Sequence, residues 1–433
     1  MLVLAPDTAL GDPNRRTSAQ YFYYLSLLAN GKHEFEFMEN FVCFTPETSL
    51  PALNDSADPH RVGLRQVSTI WLSMTPTSRS TLDRRTLFAA AAAASVGFLL
   101  PRSLSAAVAG RPAAGKSLNP TLDPVLLTRA LDRAASLDQL HALVIGRHGT
   151  VLAAEAFRGP PVGRAVNVKS VSKTIVASLA GIALDRGLLD GVDATLREVA
   201  PGLIPKGADP RVGGITIAQL LTMQAGLEPT SGPGYGRWIG SRNWIADALG
   251  RPFIAEPGER MIYSTGSYHI LGAVLARISG QSLLSLAREW VGRPLGIELA
   301  GWTRDPQGFY LGGNNMVLSP LDLFRFGEMW RRGGVWDGRP VVIAAWAQAS
   351  WLPRTRSPYS GDAYGYGWFL AESGGHRIAY ARGYGGQMLY LVPSLGLTVV
   401  VTSDPGRPAR SDGYVGELGA LLTGHIMPAA EQA

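Results

Sequence analysis

A serine and a lysine three residues apart could share a proton at the start of a helix. They are Ser170 and Lys173, and residues at i and i+3 of a helix lie on the same face. A serine hydroxyl becomes a good nucleophile when a neighbouring base takes its proton. A lysine can be that base when burial or a nearby cation makes its amine neutral. The spacing therefore predicts a nucleophile with its base.

Taken alone, the S-x-x-K spacing is a weak signal, and its alternative interpretation is an exposed amine on an ordinary helix. The composition supports the chemistry, because the 40 basic residues include few lysines, which are Lys32, Lys116, Lys169, Lys173 and Lys206. Arginine cannot act as this base, since its pKa stays above about 12. A lysine at position 173 of such an arginine-biased chain indicates a role that needs an amine.

A tyrosine could supply a second base. Tyr263 stands just before a segment with helical spacing, in the run Tyr263-Ser264-Thr265. The pKa of a phenol falls when the phenolate faces an ammonium. Lys173 and Tyr263 could then share one proton and pass it from the serine to a leaving group. The alternative is an ordinary half-buried tyrosine.

The elements that must position these residues follow from the hydrophobic pattern. Residues 122–138 have helical spacing, and residues 142–145 and 151–157 are typical of a β-hairpin. A helix is predicted over 170–200, and further helical stretches continue to about residue 300. After these helices, strands are predicted over 364–371, 377–381, 387–392 and 397–403. A closing helix is predicted over 414–426. Strands at both ends with helices between them predict an α/β domain with a helical insertion.

Several longer segments carry a family resemblance. With the Ser170 motif they occur in a fixed order, as ITIAQLLTMQAGL (215–227), PGERMIYSTGSYHILG (257–272), LSPLDLFRFGEMW (318–330), YGYGW (364–368) and YARGYGGQ (380–387). From about residue 140 to 403 the chain resembles the serine β-lactamase and penicillin-binding-protein superfamily. It is most similar to class C β-lactamases, family VIII esterases and 6-aminohexanoate-dimer hydrolases.

The resemblance implies a β-lactamase-like α/β (α+β) fold. Its antiparallel sheet would be flanked by N- and C-terminal helices, with an all-α subdomain inserted at about 180–300. It also implies that the third motif of the family is Ala381-Arg382-Gly383, on the strand that faces the nucleophile. The backbone N–H groups of Ser170 and Tyr384 would then form the oxyanion hole. A glycine-rich strand end without a function is the alternative for this segment.

The sequence departs from the family pattern at two positions. Thr265 stands where the second motif usually ends in asparagine, and its hydroxyl could still bond Lys173. Ala381 stands where the third motif usually begins with lysine or histidine, so it offers no cation to the carboxylate of a β-lactam or a D-alanyl peptide. Ester or simple amide hydrolysis is therefore expected ahead of those two activities. Arg382 could supply the charge if its side chain turns inward, which strand alternation leaves open.

A glycine-rich segment over residues 228–249 carries aromatic residues. Tyr235, Trp238 and Trp244 lie within residues 228–249, and the resemblance puts this segment over the mouth of the active site. Tyr235 and Trp244 are predicted to hold an apolar acyl or amine chain of the substrate. The alternative is that these rings pack the loop onto its own domain.

Composition excludes other kinds of site. The single cysteine, Cys43, excludes an intrachain disulfide and a multi-cysteine metal site. The sequence contains neither G-x-S-x-G nor H-E-x-x-H, so we expect no metal and no cofactor. The net charge is +6, but basic residues are spread along the chain, so a nucleic-acid partner is not expected. The expected partner is a small ester or amide, and nothing indicates the oligomeric state.

A second class of function is also compatible with the resemblance. A protein of this fold could bind peptidoglycan fragments or small amides without turning them over. The joint presence of Ser170, Lys173 and Tyr263 argues for an enzyme.

Residues 83–109 have the layout of an export signal. Arg84 and Arg85 precede an apolar run over 87–100 and then small residues. The run is shorter than the roughly 20 residues that span a bilayer, so we expect a cleaved twin-arginine signal, an exported protein and no permanent membrane anchor. A buried alanine-rich helix is the alternative. With translation starting at Met74, residues 1–73 are an extension outside the fold, 74–109 the signal peptide and 110–433 the hydrolase domain.

Overall fold

The computed structural model describes residues 121–433 except positions 411 and 412. The predicted N-terminal extension and signal peptide lie outside the described residues. Within residues 121–433, no single helix has both the length and the apolarity needed to cross a bilayer. The bent pair Thr265–Ser279 and Leu283–Leu295 meets both criteria only when its two helices are combined, across an 80° bend.

The strands form one large sheet and two small ones. In chain order they are β1 (Leu140–Arg147), β2 (Thr150–Ala156), β3 (Val166–Asn167), β4 (Gly301–Trp302), β5 (Met316–Leu318), β6 (Val335–Trp336), β7 (Arg339–Pro340), β8 (Thr355–Arg356), β9 (Ala363–Tyr364), β10 (Phe369–Ser373), β11 (His376–Gly383), β12 (Gln387–Val392) and β13 (Leu397–Ser403). The large sheet has the order β2-β1-β13-β12-β11-β10-β9-β8, and every neighbouring pair in it is antiparallel.

The α-helices occur before, between and after these strands. In chain order they are α1 (Pro124–Ser136), α2 (Ser172–Asp185), α3 (Leu196–Val199), α4 (Ile217–Leu221), α5 (Tyr235–Ile239), α6 (Trp244–Leu249), α7 (Thr265–Ser279), α8 (Leu283–Leu286), α9 (Arg293–Leu295), α10 (Pro320–Arg331), α11 (Ala344–Ser350), α12 (Tyr414–Leu421) and α13 (Met427–Glu431).

The centre of the large sheet is buried on both faces. Strands β12 and β13 are mainly apolar, and all of their residues are buried, a pattern typical of strands covered from both sides. Helix α10 packs on β12 and β13, whereas α1 packs on β1 and also contacts α12 and α13. Between α2 and β4 the chain forms helices and turns with only isolated bridges. The predicted antiparallel sheet, flanking helices and helical insertion are therefore confirmed.

Two sequence predictions of element length were wrong. The helix predicted over 170–200 ends at Asp185, and Gly187 follows in the left-handed region with φ 68°. The strand predicted over 364–371 is interrupted between β9 and β10. There Gly367 has φ +81°, and a Cβ on it would lie 2.6 Å from the Ala177 Cβ of α2. Both breaks occur where glycine adopts a backbone conformation that side chains disfavour.

Candidate active site

Ser170 lies in a constrained turn that leads into α2. It is the middle residue of the 3₁₀ turn Lys169–Val171, and Lys169 has an unusual φ of 50°. The Lys169 N–H donates to Asn167 Oδ1 at 2.9 Å, and the Ser172 hydroxyl donates to the Lys169 carbonyl at 2.6 Å. A positive φ at a residue other than glycine is strained, and it persists only where neighbouring groups hold the backbone in place. These bonds fix the direction in which the half-buried Ser170 side chain leaves the turn.

Lys173 lies beneath the serine and has an acceptor for each of its protons. Its side-chain nitrogen is 3.0 Å from Ser170 Oγ, 3.4 Å from Thr265 Oγ1 and 2.6 Å from the Gly313 carbonyl. Lys173 is only 2% exposed. An ammonium donates up to three hydrogen bonds and accepts none. The site therefore satisfies the charged form of this lysine without any acidic partner among the hydrogen-bonded groups.

Tyr263 completes the cluster from the opposite side. Lys173 Nζ lies 4.9 Å from the centre of the Tyr263 ring, and the phenol hydrogen-bonds the side chains of Ser170 and Lys173. Tyr263 is half-buried and stands two residues before α7, whose first residue is Thr265. The hydroxyl, the amine and the phenol converge in one place, although they are distant in sequence.

Burial and mutual contact perturb both basic groups. Burial lowers the pKa of Lys173 below its ordinary value, against the opposing influence of the Tyr263 phenolate. Burial alone would raise the pKa of Tyr263, but the Lys173 charge, the Ser170 hydrogen bond and the Arg382 charge outweigh it and lower that pKa. Two groups coupled this strongly titrate as a pair. The pair can hold one proton at a pH where isolated lysine and tyrosine side chains would hold two.

The third motif lies on β11, against the Lys169–Val171 turn. A Cβ on Gly383 would lie 2.5 Å from the Val168 carbonyl oxygen and 3.0 Å from the Lys169 Cβ. Glycine is therefore required for the strand end to approach the turn so closely. Tyr384 follows Gly383 in the chain and is 55% exposed. The Tyr384 backbone thus continues directly from the contact with the Lys169–Val171 turn.

Arg382 is turned toward the site. Its guanidinium lies 5.0 Å from the centre of the Phe369 ring, and its positive charge contributes to the lowered pKa of Tyr263. Ala381, in contrast, is buried at 2% exposure and has no polar side-chain atom. The motif therefore presents a cation one residue later than the family pattern does.

The two predicted substrate-contacting aromatic residues differ in position. The Tyr235 hydroxyl accepts a hydrogen bond of 2.9 Å from Asn314 Nδ2, next to the Gly313 carbonyl that binds Lys173. Trp244 is buried at 6% exposure, its indole N–H donates to the Ile239 carbonyl at 2.9 Å, and its ring packs on Trp238. The Trp244 ring therefore packs the loop onto its own domain, as in the alternative that the sequence left open.

Two contributors to the site escaped sequence reasoning. The Gly313 carbonyl binds Lys173 through the main chain, and a Cβ on Gly313 would lie 2.7 Å from the Thr265 carbonyl oxygen. The only sequence signal was the run Gly312-Gly313-Asn314-Asn315. Ser231 contacts Thr265 through its hydroxyl, and no motif indicated it.

The sequence of this chain matches a known family and a curated relative. The Beta-lactamase family model matches residues 141–422. A D-alanyl-D-alanine-carboxypeptidase/endopeptidase, AmpH of Escherichia coli (strain K12), is 24% identical over 285 residues, which are 57% of this chain and 73% of AmpH.

Solved structures share the fold. A candidate 6-aminohexanoate-dimer hydrolase from Bacillus anthracis superposes with a TM-score of 0.59 at 18% identity, covering 71% of this chain and 81% of that one. EstCE1, a hydrolase with promiscuous acyltransferase activity, superposes with a TM-score of 0.59 at 21% identity, covering 70% of this chain and 99% of EstCE1. At these identities the likeness establishes the fold alone.

Proposed function

This chain belongs to the Beta-lactamase family of serine hydrolases, and from that premise we propose that it cleaves simple esters and amides through an acyl-enzyme on Ser170. The observation that carries the proposal is the 3.0 Å contact between Ser170 Oγ and the buried Lys173 amine. A nucleophile within hydrogen-bond reach of a base is the arrangement that covalent acyl transfer requires.

Proton transfer from Ser170 to Lys173 needs no rearrangement of the lysine. As a neutral amine, Lys173 donates its two protons to the Gly313 carbonyl and Thr265 Oγ1 and accepts the serine proton with its lone pair. After the transfer the same three contacts hold an ammonium. Because donors and acceptors are already oriented, little reorganisation accompanies the step.

The chemical sequence then has two halves. Ser170 Oγ forms a bond to the carbonyl carbon, and the backbone N–H groups of Ser170 and Tyr384 stabilise the oxyanion. The bond to the leaving group breaks as Tyr263 and Lys173 deliver the serine proton to that group. Water next attacks the acyl carbon and gives one proton to the pair. The Ser170–acyl bond breaks, and the pair returns this proton to Ser170.

Short-chain nitrophenyl esters are expected to be the fastest substrates in a panel that also contains a chromogenic cephalosporin and a linear aminohexanoate dimer. The reason is that Ala381 provides no cation for the cephalosporin carboxylate. Initial rates across several ester chain lengths measure the preference. Cephalosporin turnover faster than that of every ester would contradict it and favour a β-lactamase.

Arg382 supports a second candidate, hydrolysis of a substrate that carries a carboxylate. We expect Arg382→Gln to lower kcat/KM for the aminohexanoate dimer about ten- to a hundredfold more than for nitrophenyl acetate. The reason is that only the dimer has a carboxylate, which would lose its charge-assisted hydrogen bond from the arginine. The control is Arg377→Gln, an exposed arginine on the same strand. Equal losses on both substrates would show that Arg382 acts only through the pKa of Tyr263.

Export through the twin-arginine route is proposed on the sequence of residues 83–109 alone. Cell fractionation of the full chain, with Arg84 and Arg85 replaced by lysine as the comparison, tests this localisation.

A further inference from the structure

The N-terminus of α7 is capped by hydroxyls from a different part of the chain. Its N-cap residue, Ser264, makes no side-chain capping bond. Instead the Thr265 N–H donates to Ser231 Oγ at 2.8 Å, and the Gly266 N–H donates to Thr230 Oγ1 at 2.7 Å. Backbone N–H groups at a helix start need such partners. The dipeptide Thr230-Ser231 therefore fixes the helix start that carries Thr265.

Ser231 also contacts the group that holds the lysine. Its hydroxyl lies 3.0 Å from Thr265 Oγ1, and Thr265 Oγ1 lies 3.4 Å from Lys173 Nζ. An ammonium cannot accept a hydrogen bond, so the Thr265 oxygen accepts from Lys173. The single Thr265 hydroxyl proton is then available to Ser231 Oγ. Ser231 Oγ accepts the Thr265 N–H, and it can also accept the Thr265 O–H, because either hydroxyl can donate in their 3.0 Å contact.

We propose that Ser231 is a positioning residue, which keeps the Thr265 hydroxyl oriented so that its oxygen faces Lys173. The inference rests on the proposed role of Lys173 as the base of Ser170. An asparagine at position 265 would present a planar amide, whereas a threonine hydroxyl rotates and needs a second group to fix its proton. Ser231 supplies that group from the loop before α5, at a half-buried position.

The test is the pH dependence of fluorophosphonate labelling of Ser170 in the full chain. With Ser231→Ala, we expect the plateau rate constant to fall about five- to tenfold, as one hydrogen bond is lost. The acidic limb of the profile should move to lower pH, because the ammonium of Lys173 is less well stabilised. Ser231→Thr, which keeps the hydroxyl, should restore both the plateau and the limb.

Thr230→Val is the matched control, since it removes the neighbouring capping hydroxyl but no contact of Thr265 Oγ1. It should lower the melting temperature and leave the acidic limb at its wild-type pH. A wild-type limb in Ser231→Ala, or an equal shift in Thr230→Val, would overturn the positioning role. Absence of labelling in the wild-type chain would instead reject the proposed function.

Discussion

Ser170→Ala is expected to abolish labelling by a fluorophosphonate and to reduce ester hydrolysis by about four to six orders of magnitude. Losing the nucleophile of a covalent mechanism costs this much, because binding and the oxyanion donors alone retain only about 10³- to 10⁴-fold acceleration over the uncatalysed reaction. The Ser170 side chain makes its hydrogen bonds to Lys173 and Tyr263, so its removal should leave the fold intact. Labelling followed by intact mass, together with the rate on a nitrophenyl ester, measures both effects.

Ser178→Ala is the matched control for this substitution. Ser178 lies on α2, the helix that follows the Ser170 turn, is fully buried and accepts a hydrogen bond of 3.1 Å from the Trp330 indole N–H. Its loss leaves that N–H without this acceptor and should lower stability by about 1–3 kcal/mol. Labelling at Ser170 should persist. Labelling that survives in Ser170→Ala would assign the nucleophile to another residue and reject the acyl-enzyme proposed here.

The local part of the site was accessible from the sequence. Ser170 and Lys173 are close because they share one turn of chain at the start of α2, and spacing alone predicts that contact. Strands β12 and β13 occupy the predicted residues, since each contains an apolar run, over 388–392 and 399–401, and has turn residues at its ends. Tyr263 was proposed from its chemistry, as a phenol that could share a proton with Lys173, but no local pattern predicts that it lies next to α2.

The contacts that escaped prediction belong to the tertiary structure. A backbone carbonyl such as that of Gly313 is present at every residue, so nothing in the sequence distinguishes the one that faces Lys173. The aromatic composition of the loop left two interpretations of Trp244, and its burial favours packing of the loop. The orientation of Arg382 was similarly open, because strand alternation does not tell which face of β11 meets the site.

Lys173→Arg is expected to lower kcat/KM for esters about 10²- to 10⁴-fold, the contribution of a general base. An arginine keeps the positive charge but stays protonated, so it cannot accept the Ser170 proton. In the wild-type chain, burial favours the neutral amine and lowers the pKa of Lys173. The rate should therefore rise with pH as the coupled pair loses a proton, with a midpoint below the ordinary value of about 10 for either group. In Lys173→Arg this rise of the rate with pH should be lost or follow the titration of Tyr263 alone.

Lys206→Arg, at an exposed lysine, is the control and should keep the wild-type pH profile. A wild-type rate and limb in Lys173→Arg would assign the base to Tyr263 and leave the lysine an electrostatic role only.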